Sequence, residues 1–172
     1  MMKIVEELFD GPVDVVGDVH GQLEALEDLI EVLGYASDGS HPEGRRLVFV
    51  GDLVDRGPDS IGVIERVREM VVAGNAQCVL GNHELSLLRN VPKVDNGWYF
   101  NQEDQSAKGQ RVATKEERKE IREFLAELPL ALERDDLRVV HACWNADAIE
   151  RLKNETTDAS DAAGEYDRYR EK

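Results

Sequence analysis

Side chains that can bind metals or transfer protons follow four apolar runs of this chain. The segments that carry them are Gly17–Gly21, Gly51–Gly57, Gly81–Glu84 and Val140–Ala142. The runs before them have the composition of buried strands and span Val13–Val16, Leu47–Val50, Cys78–Leu80 and Leu137–Val140. Oxygen and imidazole donors suit hard or borderline divalent cations better than a soft thiolate site would. Because ligands of open α/β sheets bind at the carboxyl ends of strands, we expect these side chains to gather at one edge.

Each motif taken alone has an ordinary structural explanation. Asp18 and His20 could be a helix cap and a surface histidine, and Asp52 could be a turn residue. Asn82 and His141 could be satisfied polar groups of the core. Four strand ends that all carry ligand-type side chains are, however, a costly arrangement without a function. Together the motifs therefore predict a metal and catalytic site.

The elements that must position these motifs alternate between strand and helix. Apolar stripes predict one helix from Leu23 to Leu33 and another that starts near Asp59 or Ser60 and ends by Gly74. A short helix from Glu84 to about Arg89 is expected after the third strand. This β-α-β-α-β order indicates a parallel or mixed sheet with helices packed on it.

The second half of the chain is expected to hold a loop, a helix and a hairpin. The Thr114–Glu117 segment has a capping-box pattern that opens a helix closed by Pro129. A hairpin follows, with Leu137–Val140 as its second strand. In the preceding loop, the aromatic cluster Gly97–Phe100 has two interpretations. We favour a cluster that anchors the loop to the core, and the alternative is a wall of a substrate cleft.

The four segments also resemble the motifs of an enzyme family. Their patterns GDxHG, GDxVDRG, GNHE and His-Ala occur in this order between Asp14 and Ala142. On these motifs the chain is similar to the phosphoprotein phosphatase branch of the calcineurin-like metallophosphoesterases. The resemblance implies an α/β fold, namely a β-sandwich flanked by helices in αββα order. It also implies a metal-dependent phosphatase.

The resemblance assigns a role to each candidate site residue. The implied metal ligands are Asp18 and His20 for a first cation, Asn82 and His141 for a second, and Asp52 for both. His83 is implied to protonate the leaving group, with Asp55 orienting it, and Arg56 to bind phosphate oxygens. The implied cofactor is a pair of divalent cations that activates a water. Mn²⁺ is the first choice, with Fe or Zn²⁺ as alternatives.

Three functions are compatible with this resemblance. The leading prediction is hydrolysis of phosphate monoesters, of the phosphoserine and phosphothreonine protein phosphatase type. The alternatives are a nucleotide polyphosphatase of the symmetrical dinucleoside tetraphosphatase type and a metal-binding module with weak activity. Glu84 after His83 favours the protein phosphatase branch, because the dinucleotide branch often has aspartate there. The predicted partner is accordingly a phosphoprotein or a phosphorylated small molecule.

One ligand of the family pattern is missing. The family has a further metal-binding histidine after the His-Ala motif, whereas none of the four histidines here follows His141. We therefore expect residues 1–172 to form a single metallophosphoesterase domain that is truncated at its C-terminus and lacks the closing strands. The alternative is a natural short form of the domain. Residues 158–172 are expected to form an exposed charged tail.

The composition limits the possible partners. The chain has 36 acidic and 21 basic residues and a formal net charge of -15. This excess of negative charge argues against non-specific nucleic-acid binding and against anionic membrane surfaces. The first residues lack an apolar segment of the signal-peptide type, and no run is long enough to span a bilayer. We therefore expect a cytoplasmic protein, and the sequence leaves its oligomeric state open.

Overall fold

The structure is a computed structural model that describes residues 2–101, 110–153 and 156–157. The helices are α1 Leu23–Val32, α2 Ser60–Val72, α3 Asn82–Leu88, α4 Gly97–Phe100, α5 Lys115–Glu127 and α6 Ala146–Lys153. The strands are β1 Met2–Lys3, β2 Val5–Glu7, β3 Val13–Val16, β4 Arg46–Phe49, β5 Ala76–Cys78, β6 Ala131–Arg134, β7 Leu137–Val140 and β8 Thr156–Thr157.

Two three-stranded sheets form the centre of the described fold. One sheet has the order β3-β4-β5, and all its strands run parallel. In the other sheet, of order β2-β6-β7, β2 runs parallel to β6 and β7 runs antiparallel to it. Strands β1 and β8 form a separate antiparallel pair.

The layers follow from the alternation of side chains along the strands. In β4, Leu47 and Phe49 pack into the core beneath the helices, whereas Val48 packs with Leu132 and Val139 of the other sheet. Successive strand residues face opposite sides of a sheet, so β4 serves two cores at once. On the outer face of the second sheet, Ile149 of α6 joins a smaller cluster. The order helix–sheet–sheet–helix confirms the αββα fold predicted from the sequence.

Helix boundaries agree well with the capping signals. The Asp59 carboxylate accepts a 2.8 Å hydrogen bond from the Gly62 backbone at the start of α2. At the start of α5, the Thr114 hydroxyl accepts from the Glu117 backbone at 3.1 Å. The Glu117 carboxylate in turn accepts from the Thr114 backbone at 2.7 Å, which completes the predicted capping box.

Some elements differ from the sequence prediction. Strand β5 ends at Cys78, because the Leu80 N–H leaves the ladder and donates to the Pro129 carbonyl at 2.9 Å. Helix α3 begins at Asn82 rather than at Glu84. The short strands β1 and β2 and helix α6 were not predicted, since none of them offers a long periodic pattern.

Several expectations have no test in this structure. The charged tail predicted for residues 158–172 lies outside the described residues. The single domain over residues 1–172 and its shortened C-terminus stay predictions. Within the described residues, every helix is too short or too polar to cross a membrane.

Candidate active site

The four sequence motifs meet around one carboxylate. Strands β3, β4 and β5 run parallel, so the segments that follow them reach the same sheet edge. The segment after β7 arrives from the other sheet. The centre of the group is Asp52, whose residue is 3% exposed.

The two oxygens of Asp52 face different histidines. Its Oδ2 lies 3.8 Å from Nε2 of His20, and its Oδ1 lies 3.6 Å from Nε2 of His141. A carboxylate has enough lone pairs to bind a cation on each side. This geometry is the one that a bridging ligand requires.

Backbone carbonyls fix the orientation of both histidines. Nδ1 of His20 lies 2.9 Å from the Val54 carbonyl, and Nδ1 of His141 lies 2.9 Å from the Val50 carbonyl. A carbonyl oxygen only accepts, so Nδ1 carries the hydrogen in each ring and Nε2 presents its lone pair to the cluster. Metal-binding histidines are commonly held in this way.

The remaining donors complete two groups that fit divalent cations. Nε2 of His20 lies 3.6 Å from Asp18 Oδ2, and Nε2 of His141 lies 3.1 Å from Asn82 Oδ1. Two ligands about 2.1 Å from a metal and roughly 90–110° apart are about 3.0–3.4 Å from each other. The observed separations are close to this range, and the donors are carboxylate, amide and imidazole. The arrangement therefore suits a divalent cation, and Asp18 keeps one side of it open to solvent.

A buried histidine–aspartate pair lies beside these donors. Nδ1 of His83 lies 2.6 Å from Asp55 Oδ2, and Asp55 has no exposed surface. This hydrogen bond raises the pKa of His83, whereas burial acts in the opposite direction. Nε2 of His83 lies 3.9 Å from Asp52 Oδ2, so the ring reaches the donor cluster.

The exposed Arg56 side chain also reaches this cluster. Its Nη1 donates to His20 Nε2 at 2.8 Å, and its Nη2 lies 3.3 Å from His83 Nε2. The guanidinium fork therefore lies between a candidate metal ligand and the candidate acid. Such a fork matches the oxygens of a phosphate group.

The site has strained backbone. His20, Asp52, Asp55 and Arg56 have φ values of 46°, 50°, 71° and 63°, in the left-handed region. In the described part of the chain, only Asn90 and Asn101 are further non-glycine residues with positive φ. Each such conformation costs on the order of 1–3 kcal/mol and tends to occur where function requires it.

Two motif glycines allow the loops to approach one another. A side chain at Gly57 would collide with the His20 carbonyl, and one at Gly81 would collide with the backbone nitrogen of Asp52. Glycine at these positions brings the segments after β3, β4 and β5 into direct backbone contact.

Glu84 ties these loops together, a role that the sequence did not reveal. Its buried carboxylate accepts hydrogen bonds from the backbone of Asp52 at 2.8 Å, Leu53 at 2.8 Å and Gly81 at 2.9 Å. Burial raises the pKa of the Glu84 carboxyl, while the three N–H donors favour its ionised form. An acidic residue at the third position of α3 is the signal that could have indicated this role.

The aromatic segment supplies a second contact that the sequence missed. Trp98 is fully buried, and its Nε1 donates to Asp55 Oδ1 at 2.7 Å. Trp98 and Tyr99 both belong to the core, which agrees with the favoured anchoring interpretation rather than with a cleft wall. His41 lies outside the site, and its Nε2 is 3.1 Å from the Leu33 carbonyl.

Comparison with known proteins places this geometry in a family context. The family model described as calcineurin-like phosphoesterase matches residues 11–168. A Bacillus subtilis protein named bis(5'-nucleosyl)-tetraphosphatase PrpE, asymmetrical, is 35% identical over 158 residues, which are 84% of this chain and 63% of that protein. The protein of the same name from Oceanobacillus iheyensis is 49% identical over 80 residues, which are 45% of this chain and 32% of that protein.

Solved structures show a similar fold. A putative diadenosine tetraphosphatase has a TM-score of 0.57 and 29% identity, covering 83% of this chain and 58% of that one. A Saccharomyces cerevisiae serine/threonine phosphatase with similarity to human PP5 has a TM-score of 0.63 and 23% identity, covering 91% of this chain and 47% of that one. The second likeness shows the fold alone. The chain spans 32% to 63% of the length of the curated relatives named above.

Proposed function

The chain belongs to the calcineurin-like phosphoesterase family, and we propose that it is a metal-dependent hydrolase of dinucleoside polyphosphates. The observation that carries the proposal is the central Asp52, whose two oxygens face His20 and His141 beside Arg56 and His83. The tetraphosphatase names of the relatives support the nucleotide substrate. These names favour the nucleotide polyphosphatase, which was the alternative in the sequence analysis, over the phosphoprotein phosphatase. They also favour asymmetrical cleavage of the substrate over symmetrical cleavage.

In this proposal the cluster holds two divalent cations. The ligands for the first would be Asp18, His20 and Asp52, and those for the second Asp52, Asn82 and His141. When bound, such a pair supplies charge neutralisation and lowers the pKa of the attacking water. Mn²⁺ remains our first choice, with Fe or Zn²⁺ as alternatives, since this N/O donor set does not select one metal by affinity alone.

The chain's own residues contribute binding and a proton. Arg56, at the open side of the cluster, would donate to the phosphate oxygens and stabilise the charge that develops on them. His83 would deliver the proton on Nε2 to the departing oxygen, with Asp55 holding Nδ1. The OH of the water then bonds to phosphorus as one P–O bond breaks, and the departing oxygen takes the proton from His83. The proton released by the attacking water restores His83.

The His83–Asp55 pair favours a second candidate, a phosphate monoester of the phosphoserine or phosphothreonine kind. An alcohol is a poor leaving group and benefits from a proton donor, whereas a nucleotide departing from an anhydride is a much better one. A positioned acid would therefore matter more to a phosphoprotein than to a dinucleotide.

One experiment separates these candidates. The purified chain is assayed with Mn²⁺ on diadenosine tetraphosphate, a phosphoserine peptide and p-nitrophenyl phosphate, with Asp52→Asn as the control. We expect the highest kcat/KM on the dinucleotide and products of ATP and AMP. Two molecules of ADP would indicate symmetrical cleavage, and preference for the peptide would favour the second candidate. Metal binding without turnover would leave a metal-binding module.

Other aspects of the function stay predictions from composition. These are the cytoplasmic location, the absence of non-specific nucleic-acid binding and the absence of membrane binding. The proposed activity depends on divalent cations at the two metal positions, and it does not depend on a particular compartment.

A further inference from the structure

We propose that Trp98 is a positioning residue that holds the Asp55 carboxylate against His83, an inference that rests on the proposed function. Trp98 lies in the aromatic segment, 15 residues after His83 in the chain, and has no exposed surface. It would act on the reaction only through Asp55, which makes its role distinct from that of the acid itself.

The two oxygens of Asp55 divide between two partners. Oδ1 accepts from Trp98 Nε1 at 2.7 Å, and Oδ2 lies 2.6 Å from His83 Nδ1. An indole N–H only donates, so it fixes one oxygen and leaves the other for the imidazole. Because Asp55 is fully buried, no solvent molecule at the surface can take the place of either partner.

The backbone of Asp55 is held separately. Its N–H donates to Ser60 Oγ at 2.8 Å, which also accepts from Gln110 Nε2 at 2.8 Å. Gln110 Nε2 further donates to the Gly57 carbonyl at 2.9 Å. These contacts fix the left-handed turn, but they leave the rotation of the carboxylate undetermined. Among the described residues, Trp98 holds the Asp55 oxygen that faces away from His83, and this contact sets the rotation of the carboxylate.

Trp98 is itself rigid enough for this role. Its ring packs edge-on against Tyr99 with centroids 5.6 Å apart, and its carbonyl accepts from the Ala113 N–H at 2.8 Å. A buried indole needs only some hydrogen-bond acceptor. The acceptor here is an ionisable carboxylate beside the candidate acid, and a charge-assisted bond of this kind is stronger than a neutral one.

The first test compares Trp98→Phe with Tyr99→Phe. Trp98→Phe removes the N–H and keeps a ring in the core. Tyr99 lies in the same short helix, and Tyr99→Phe removes its 3.3 Å hydrogen bond to the Arg118 carbonyl of α5. We expect Trp98→Phe to lower kcat roughly 10–100-fold on phenyl phosphate, less on p-nitrophenyl phosphate, and to leave KM unchanged. Tyr99→Phe should keep the wild-type ratio between the two substrates. Adding Trp98→Phe to Asp55→Asn should cost little more.

The second test needs no activity. In the metal-free protein, the Nδ1 proton of His83 should give a downfield NMR signal that is lost in Trp98→Phe and retained in Tyr99→Phe. If the wild type hydrolyses neither these two substrates nor diadenosine tetraphosphate, the proposed function fails while this signal still decides the positioning role. An unchanged substrate ratio together with a retained signal would overturn the inference, as would equal losses in both variants.

A third measurement covers the case in which Trp98→Phe does not fold. The chain has two tryptophans, so their indole protons can be distinguished by substituting Trp144. In Asp55→Ala the Trp98 indole proton should shift and exchange faster, whereas that of Trp144 should not change. Identical behaviour of the two protons would contradict the contact and with it the proposal.

Discussion

The parallel sheet and the mixed sheet meet at Asp52, but they furnish the site unequally. The parallel sheet β3-β4-β5 leads into the segments that carry Asp18, His20, Asp52, Asp55, Arg56, Asn82 and His83. The mixed sheet β2-β6-β7 leads into His141 alone among the candidate site residues. His141 is itself oriented by the parallel sheet, since its Nδ1 lies 2.9 Å from the carbonyl of Val50, just beyond β4.

This difference has consequences for the two candidate metal positions. The first position has two carboxylates, Asp18 and Asp52, together with His20. The second shares Asp52 but otherwise has an uncharged amide and an imidazole, from Asn82 and His141. A divalent cation is attracted more strongly by two negative charges than by one. The comparison therefore predicts that the cations bind stepwise, and the first site fills before the second.

The largest effect is expected from Asp52, where the segments that follow the two sheets meet. Asp52→Asn removes the charge between the histidines while it keeps the shape of the side chain. We expect kcat to fall on the order of 10⁴-fold, because residues that act as a unit fail together. Elemental analysis should show loss of both cations. Retention of one tightly bound cation would show that Asp52 does not bridge.

The next effect concerns His83, the candidate acid, which follows the parallel sheet. His83→Asn should lower kcat roughly 10²–10⁴-fold on a phosphate ester with a poor leaving group. The loss should be smaller on diadenosine tetraphosphate or p-nitrophenyl phosphate, while metal content stays near normal. Equal losses on all three substrates would argue against proton donation by His83.

The pH dependence of kcat should show the direction in which Asp55 shifts the pKa of His83. The hydrogen bond that His83 Nδ1 donates to Asp55 raises the pKa of His83, so the imidazolium persists to higher pH than in water. Activity that depends on this proton should therefore decline on the alkaline side, as pH rises through the raised pKa. In Asp55→Asn the decline should begin at lower pH, which is measurable as a shift of the alkaline limb of kcat.

The unequal metal positions are tested by a matched pair of histidine variants. His141→Ala should reduce the bound cations from about two to about one, because the first position keeps both of its carboxylates. His20→Ala should weaken the tighter position instead. Calorimetric titration with Mn²⁺ distinguishes these results, and equal affinities of the two positions in the wild type would contradict the comparison.

Arg56 should affect substrate binding more than chemistry. Arg56→Ala is expected to raise KM roughly 10–100-fold, in line with the loss of a charged hydrogen bond, and to weaken inhibition by phosphate. Arg56→Lys should recover only part of this, since an ammonium lacks the fork. A loss of thermal stability with unchanged KM would instead indicate a purely structural role.

The smallest effect is expected at Glu117 of α5, outside both sheets. It concerns the free energy of unfolding and not the activity. Hydrogen bonds from Arg111 and the Thr114 backbone lower the pKa of Glu117 to about 2. Its contribution to the free energy of unfolding is therefore present above pH 4.5, the ordinary pKa, and is lost as pH falls toward about 2. Glu117→Gln should cost about 1 kcal/mol at neutral pH without changing kcat. Denaturant unfolding at neutral and acidic pH checks this, and a variant that matches the wild type at both would contradict it.

The sequence by itself determined the elements and most of the candidate site residues. Periodicity and capping signals identified α1, α2 and α5, because such patterns arise from local backbone geometry. The motif residues could be assigned to strand ends for the same reason. The short strands β1 and β2 could not, since two or three residues carry too little pattern to predict a strand.

Only the tertiary structure decided which side chains act on each other. Asp55 and Trp98 are 43 residues apart in the chain, and Asp52 and Glu84 are 32 apart. Their hydrogen bonds depend on how helices pack against the parallel sheet, which no local pattern encodes. The left-handed backbone of His20 and Asp52 was equally hidden, because these conformations are imposed by contacts between loops. Packing thus turned a set of candidate ligands into two oriented groups around one carboxylate.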